Sequence, residues 1–257
     1  MEDLFYSWYE ETTTSVPFPK RGKKKRKEFK LNIDELFHSD LYGAMPIACS
    51  TPLPVLAPYC GDAPSRLVSF NEAYAYKDYN CTVHFYIDDS LFLRVLRNPE
   101  KYLDFLMKCN SVIGSDLSQY SDMSAEERYY SAYINCAFSA FLQRNGVKLI
   151  PNVTWSLPDS YSYSWSSMPR YSVVAINCNG IMKHDVSKYL WYRGYREAIS
   201  VLHPSLIIRF GTRMPCEQSD ISLYFNVSST NSKQCKLCVH NSFTCNAWFL
   251  WEEAVSG

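Results

Sequence analysis

The residues best suited to chemistry stand at or just past short β-rich runs. Asp88 and Asp89 follow CTVHFYI (81–87), and Asp116 and Ser118 follow SVIGS (111–115). Asn71 and Glu72 follow LVSF (67–70), Asn152 and Trp155 close VKLIPNV (147–153), Asn177 and Asn179 end YSVVAIN (171–177), and Arg209 with Gly211 ends SLIIRF (205–210). If these runs are parallel strands, all of these groups converge on one rim, because parallel α/β folds gather their chemistry at strand carboxyl ends. Asp88 or Asp89 paired with Asp116 could act as acid and base, or as nucleophile, at a glycosidic carbon. The same carboxylates could instead hold Mg²⁺ for phosphodiester chemistry. Asn71, Ser118, Asn152, Trp155, Asn179 and Arg209 would then line the substrate. Strand ends also use Asp and Asn to cap helices and stop ladders, and that reading is strongest for Asp89, where a helix should begin. Asp116 enters a loop instead, which favours function there.

The elements that must position these groups follow from periodicity. The six runs above are rich in β-branched and aromatic residues, as strands buried on both faces are, and ISLYFNV (221–227) adds a seventh. Between them, 91–108, 125–145 and 186–202 carry apolar residues at three and four spacing; the second ends in Asn145-Gly146 and the third in His203-Pro204. Alternation of strand and helix predicts an α/β fold, a mainly parallel sheet of six or seven strands with crossover helices. An open sheet and an incomplete or irregular (β/α) barrel both fit that count. Residues 1–45 read as an appendage, 46–215 as the α/β domain, with regular structure starting near Arg66, and 216–257 as a Cys-containing tail packed on it.

Charge is distributed unevenly. The chain is formally neutral with 26 basic and 26 acidic residues, yet KRGKKKRKEFK (20–30) concentrates eight of the basic ones. Lys20, Arg21, Lys23, Lys24, Lys25, Arg26, Lys27 and Lys30 thus form a basic arm on an acidic body. Such a field suits nucleic acid, an acidic protein partner, anionic lipid or an import receptor, and a merely solubilising tail has the same composition. Aromatics near the ends, Phe5, Trp8, Trp248, Phe249 and Trp251, would serve a protein partner or pack on the parent domain.

Ten cysteines divide into two groups. Cys49, Cys60, Cys81, Cys109, Cys136 and Cys178 lie in or beside apolar segments and read as small buried hydrophobes. Cys216, Cys235, Cys238 and Cys245 lie near the end, two of them in CKLC, and could complete a tetrahedral zinc site; unpaired structural thiols and a redox pair are the competing readings. His84, inside a strand, reads as a core histidine rather than a base. His38, His184 and His203 are unclustered.

Several classes are poorly supported. No G-x-G-x-x-G, Walker loop, G-x-S-x-G or H-E-x-x-H is present. No apolar run approaches the roughly 18 residues of a membrane span, and the acidic start MEDLFYSWYEE lacks the order of a secretory signal, so the expectation is a soluble protein of the host cytoplasm with no membrane partner.

The runs VSFNEA, VHFYIDD, RNPEKYL, SDLSQYSDM and LQRNGVKLIPNVTW, in that order and spacing, resemble a family of phage and mobile-element proteins known as domain of unknown function 4417. The resemblance spans about 67–211 and includes Asp88, Asp89, Asp116, Ser118, Asn152 and Trp155. It implies a single α/β domain of phage or conjugative origin and transfers no activity. Ser115 stands where the family usually has Pro, and Asn179 where it has His, so a mechanism that needs that imidazole would be lost. The arm and the tail look like additions to the shared domain. Two functions compete on this footing: an enzyme acting on nucleic acid through the rim, and a non-enzymatic binding protein of a mobile element, for replication control or counter-defence, that recognises a protein or small ligand.

Overall fold

A computed structural model describes residues 47–48, 50–181, 185–213, 217 and 220–225. The basic arm (Lys20, Arg21, Lys23, Lys24, Lys25, Arg26, Lys27, Lys30) and Cys216, Cys235, Cys238 and Cys245 lie outside the described residues.

Seven short strands form where β-branched residues cluster: β1 (Leu67–Ser69), β2 (Thr82–His84), β3 (Ser111–Ile113), β4 (Leu149–Ile150), β5 (Val173–Asn177), β6 (Leu206–Phe210) and β7 (Ser222–Phe225). The pairings are all parallel, in the orders β1-β2-β3-β4 and β5-β6-β7. The expected single sheet is therefore corrected to ladders of four and three strands. A lone parallel bridge, Asn152 to Ala175, connects them. It consists of Val153 N–H on the Ala175 carbonyl at 2.9 Å and Ala175 N–H on the Pro151 carbonyl at 2.8 Å. Extending it back to Ile150 and Val173 would need an N–H at residue 151, and Pro151 has none. No ladder joins β7 to β1 among the described residues.

Alternation along each strand sorts side chains into an interior and two outer layers. Leu67, Ile113, Ile150, Val173, Ala175, Leu206, Ile208, Phe210, Leu223 and Phe225 share one apolar interior to which both ladders contribute. On the outer side of the first ladder, Val68, Val83, Val112 and Leu149 pack against α1 (Phe70–Tyr76), α2 (Asp89–Arg97), α3 (Glu100–Lys108) and α4 (Ala125–Arg144). After a short 3₁₀ turn and α5 (Tyr161–Ser164), helix α6 (Asp185–Leu202) covers the second ladder, with Trp191, Tyr195 and Ala198 against Val174, Ile176 and Ile207.

Helix boundaries follow local chemistry. The single helix expected over 91–108 is two, because Pro99 cannot continue α2 and instead opens α3. Helix α1 was not anticipated: it starts directly after β1, with Ser69 Oγ accepting the Glu72 N–H at 3.4 Å, and it takes Asn71 and Glu72 into its first turn. Helix α4 begins with a reciprocal capping box, Ser124 with Glu127, and ends at Asn145 before Gly146. It packs closely on β3 because residue 114 is glycine: a Cβ there would lie 2.8 Å from Ser139 Oγ and 3.2 Å from Asn152 N.

Arg209 alternates to the helix-facing side of β6. Its guanidinium is fully buried, donates to both carboxylate oxygens of buried Glu217 at 2.8 and 2.6 Å and to the Ile176 carbonyl at 2.8 Å, and lies over the Trp191 ring at 4.7 Å. Removing one partner of such a pair leaves a buried charge uncompensated, which costs far more than the intact pair contributes. Glu217→Gln is accordingly expected to lower stability by about 3–5 kcal/mol, read as a reduced urea midpoint at unchanged slope.

Candidate functional site

A carboxylate held by two amides sits at the carboxyl ends of β3, β4 and β5. Asp116 follows β3, Asn152 follows β4, and Asn177 ends β5 on its inward face, in register with Phe210. Asn177 Nδ2 donates to Asp116 Oδ2 at 2.9 Å, and Asn152 Nδ2 donates to Asp116 Oδ1 at 3.2 Å and to the Ser115 carbonyl at 2.9 Å. The Tyr86 hydroxyl donates to Asn152 Oδ1 at 3.0 Å, which fixes that amide with its nitrogen toward Asp116. The loop carrying Asp116 is itself anchored by Asn135, buried in α4: its side chain accepts the Leu117 N–H at 2.8 Å and donates to the Leu117 carbonyl at 3.0 Å, while Ser115 Oγ donates to its carbonyl at 3.2 Å.

Aromatic rings floor this site. Tyr86 stacks on Phe210 with ring centroids 4.9 Å apart, and His84 lies 4.7 Å from the same ring and 5.0 Å from Tyr86. This crossing of β2 side chains onto β6 places the ring layer directly beneath the polar groups.

Burial raises the pKa of Asp116, the amide donors of Asn177 and Asn152 oppose the rise, and the nearby charge of Asp89 adds to it. Burial, and secondarily the Asp116 charge, holds Tyr86 well above the ordinary phenol range, so it remains a neutral donor. A carboxyl raised in this way is suited to holding and releasing a proton near neutrality.

The sequence-derived residues divide on inspection. Asp116, Asn152, Asp89 and Ser118 come together: Ser118 donates to Asp89 Oδ1 through its N–H and its hydroxyl, both at 3.2 Å. Asp88 is the N-cap of α2, accepting the Ser90 N–H at 2.9 Å. Asn71 accepts from Arg94 on the outer surface. Trp155 packs in the helix layer against Trp165 and Trp191, each at 5.8 Å, and fits because residue 194 is glycine: a Cβ there would lie 2.0 Å from its Nε1. Arg209 is engaged beneath Trp191 as described above. Asn179 donates its N–H to Asn177 Oδ1 at 2.7 Å, leaving its own side chain exposed. No three His, Cys, Asp or Glu side chains gather as a metal-binding group among the described residues. Tyr86, Asn135 and Asn177 are the additions that the structure makes; for Asn135 the signal was a lone amide in the apolar run YINCAFSAFL, and for Tyr86 none was available.

Comparison with known proteins places these residues in a wider set. A family profile described as Domain of unknown function (DUF4417) matches residues 46–227. The chain is 28% identical over 139 residues to the Gene 1 protein of Mycobacterium phage L5, covering 54% of this chain and 61% of that protein. It is 25% identical over 139 residues to the Gene 1 protein of Mycobacterium phage D29, covering 54% of this chain and 52% of that one. The chain thus spans about half to three fifths of the length of these relatives. No solved structure matches. No described helix is long and apolar enough to cross a membrane.

His84 gives a pH signature to the ring layer. Burial alone pushes its pKa down to about 4, and its Nδ1 accepts the Tyr86 N–H at 3.2 Å, which requires the unprotonated ring nitrogen. The unfolded chain takes up a proton near pH 6.5 and the folded one does not, so this group's stabilisation is complete above that pH and is lost as pH falls through about 4. The difference is on the order of 3 kcal/mol. Urea denaturation of the parent and of His84→Asn at pH 7 and pH 4.5 checks this: the parent should lose more stability between the two pH values than the variant does.

Proposed function

We propose that this chain, which belongs to the DUF4417 family, acts on nucleic acid by proton transfer at Asp116. The observation that carries the reading is the setting of that carboxyl: buried, raised in pKa, aimed by Asn152 and Asn177, and adjacent to Asp89. In this reading the two ladders work as one open (β/α) barrel, with Asp116 at its carboxyl-terminal mouth, where that architecture keeps its reactive groups. A protonated Asp116 gives its proton to the leaving oxygen or nitrogen of a sugar-centred bond, and Asp89, oriented by Ser118, stabilises positive charge that develops on the sugar. The basic residues of 20–30 supply the field that draws a polyanion to the domain. The phage origin of the relatives agrees with a nucleic-acid substrate.

A second reading is a recognition pocket without turnover. It is favoured by one feature: both Asp116 oxygens already carry amide donors, as they would if the carboxylate were a fixed feature to be read by a ligand.

The two separate on one substitution. Asp116→Asn preserves size and is expected to leave the thermal midpoint and nucleic-acid binding close to the parent's while lowering turnover by about 10²-fold or more, the usual contribution of a positioned acid. The parent's rate should decline as pH rises through the raised Asp116 pKa, because the protonated form is the working one. Cleavage or base release measured on single-stranded, duplex and structured RNA substrates provides the readout. Equal turnover in parent and variant removes Asp116 from the chemistry, and absence of turnover in both favours the recognition pocket.

A further inference from the structure

Helix α6 has two faces with different chemistry. Trp191, Tyr195, Ala198 and Leu202 are buried against the second ladder. The opposite face carries Tyr189, Tyr192, Arg193, Arg196 and Ser200, spaced by three and four residues so that they form one stripe. Tyr161 of α5 lies alongside, its ring 5.5 Å from that of Trp165. Together with Glu197 these residues enclose an open groove of about 310 Å³, at the lower end of the range usual for small-ligand sites. None of them takes part in the Asp116 network.

The lining is unusual for a simple solvated helix face. Arg193 stacks over the Tyr189 ring at 5.7 Å and Arg196 over the Tyr192 ring at 5.8 Å. Neither arginine is in an ion pair among the described residues, so the groove holds two guanidinium charges against the single Glu197 carboxylate. The Tyr161 hydroxyl is buried with no hydrogen-bond partner, an unsatisfied group of the kind that proteins rarely keep without a use. Its pKa is pushed up to about 12 by burial, so it stays a donor. Aromatic faces interleaved with guanidinium forks are the chemistry that holds a planar base beside a phosphate: every base has a face to stack, and arginine matches phosphate geometry with two parallel hydrogen bonds.

We propose that this groove binds a nucleotide unit, its base against the tyrosine rings and its phosphate on Arg193 and Arg196. The inference deepens the nucleic-acid reading of the Asp116 site and rests on it for the choice between a free nucleotide and a nucleotide within a strand. Bound there, a strand is held on the helix layer of the second ladder, apart from the strand ends where the reaction occurs.

The test uses the full chain and an Arg193→Gln/Arg196→Gln double variant, whose substituted side chains are exposed and whose circular dichroism and thermal midpoint should match the parent's. Each is titrated calorimetrically with adenosine monophosphate, thymidine monophosphate, a ten-residue oligothymidylate and inorganic phosphate across a salt series. The expected result is at least a tenfold loss of affinity in the double variant for the oligothymidylate, with the slope of log K against log salt reduced by about 1.4 for two lost phosphate contacts. A parallel loss for the monophosphates identifies a free nucleotide as sufficient; a loss confined to the oligothymidylate identifies a strand. Unchanged affinity for every nucleotide probe overturns the proposal, as does a site that takes inorganic phosphate as tightly as the nucleotides, since the rings would then contribute nothing. Asp116→Asn is titrated in the same series to separate this inference from the catalytic one. Normal binding with no turnover in either protein keeps the groove and removes the reaction, whereas strand binding that is insensitive to Arg193 and Arg196 removes the groove and keeps the reaction open.

Discussion

A buried carboxylate must be compensated, and the polar end of this domain is organised around that requirement. Asp116 is pulled away from water by the packing of the loop after β3 under α4, and the desolvation is offset by amide donors that come from the ends of two other strands. Each amide is in turn held: Asn152 by the Tyr86 hydroxyl and the Ser115 carbonyl, Asn177 by the Asn179 N–H. The network is connected across β2, β3, β4 and β5, so the geometry of the carboxylate depends on those strand ends keeping their relative height. Strands of two to five residues achieve this because every one is packed on both sides, by the shared interior and by a helix layer.

The second ladder uses a different device for the same problem. Arg209 carries a charge into the helix-facing layer, where Glu217 and two backbone carbonyls satisfy its donors and the Trp191 ring covers its face. Its role is to tie the segment between β6 and β7 to β6 and to the underside of α6. The two halves of the domain thus each contain one buried ionic centre. Asp116, compensated by neutral amides rather than by an opposite charge, retains the capacity to change protonation state; Arg209, paired with a carboxylate in a low-dielectric layer, does not. This difference in compensation is the physical ground for assigning chemistry to the first and architecture to the second.

The outer face of α6 adds a third kind of polar arrangement, in which arginines rest on tyrosine rings at the surface rather than inside. Here the charges are solvated and available. The same helix therefore serves the core with Trp191 and Tyr195 and presents a patterned surface with the residues between them, a division that its three-to-four spacing makes inevitable.

By itself the sequence determined the seven β-rich runs, the parallel α/β class, the N-terminus of α4 at Ser124 and the placement of Asp116 past a strand and before a loop, because each depends on composition and spacing within a few residues. It also contained, unread, the alternation Leu206-Ile208-Phe210 that turns Arg209 away from the interior. Only the tertiary structure decided that Asp88 is spent as a cap while Asp116 is held by Asn152 and Asn177, 36 and 61 positions away. It alone decided that Trp155 belongs to the helix layer and that the sheet divides at Pro151. The reason is physical: a hydrogen bond between strand ends is fixed by which strands are neighbours and at what height they stop, and neither quantity is local to the chain.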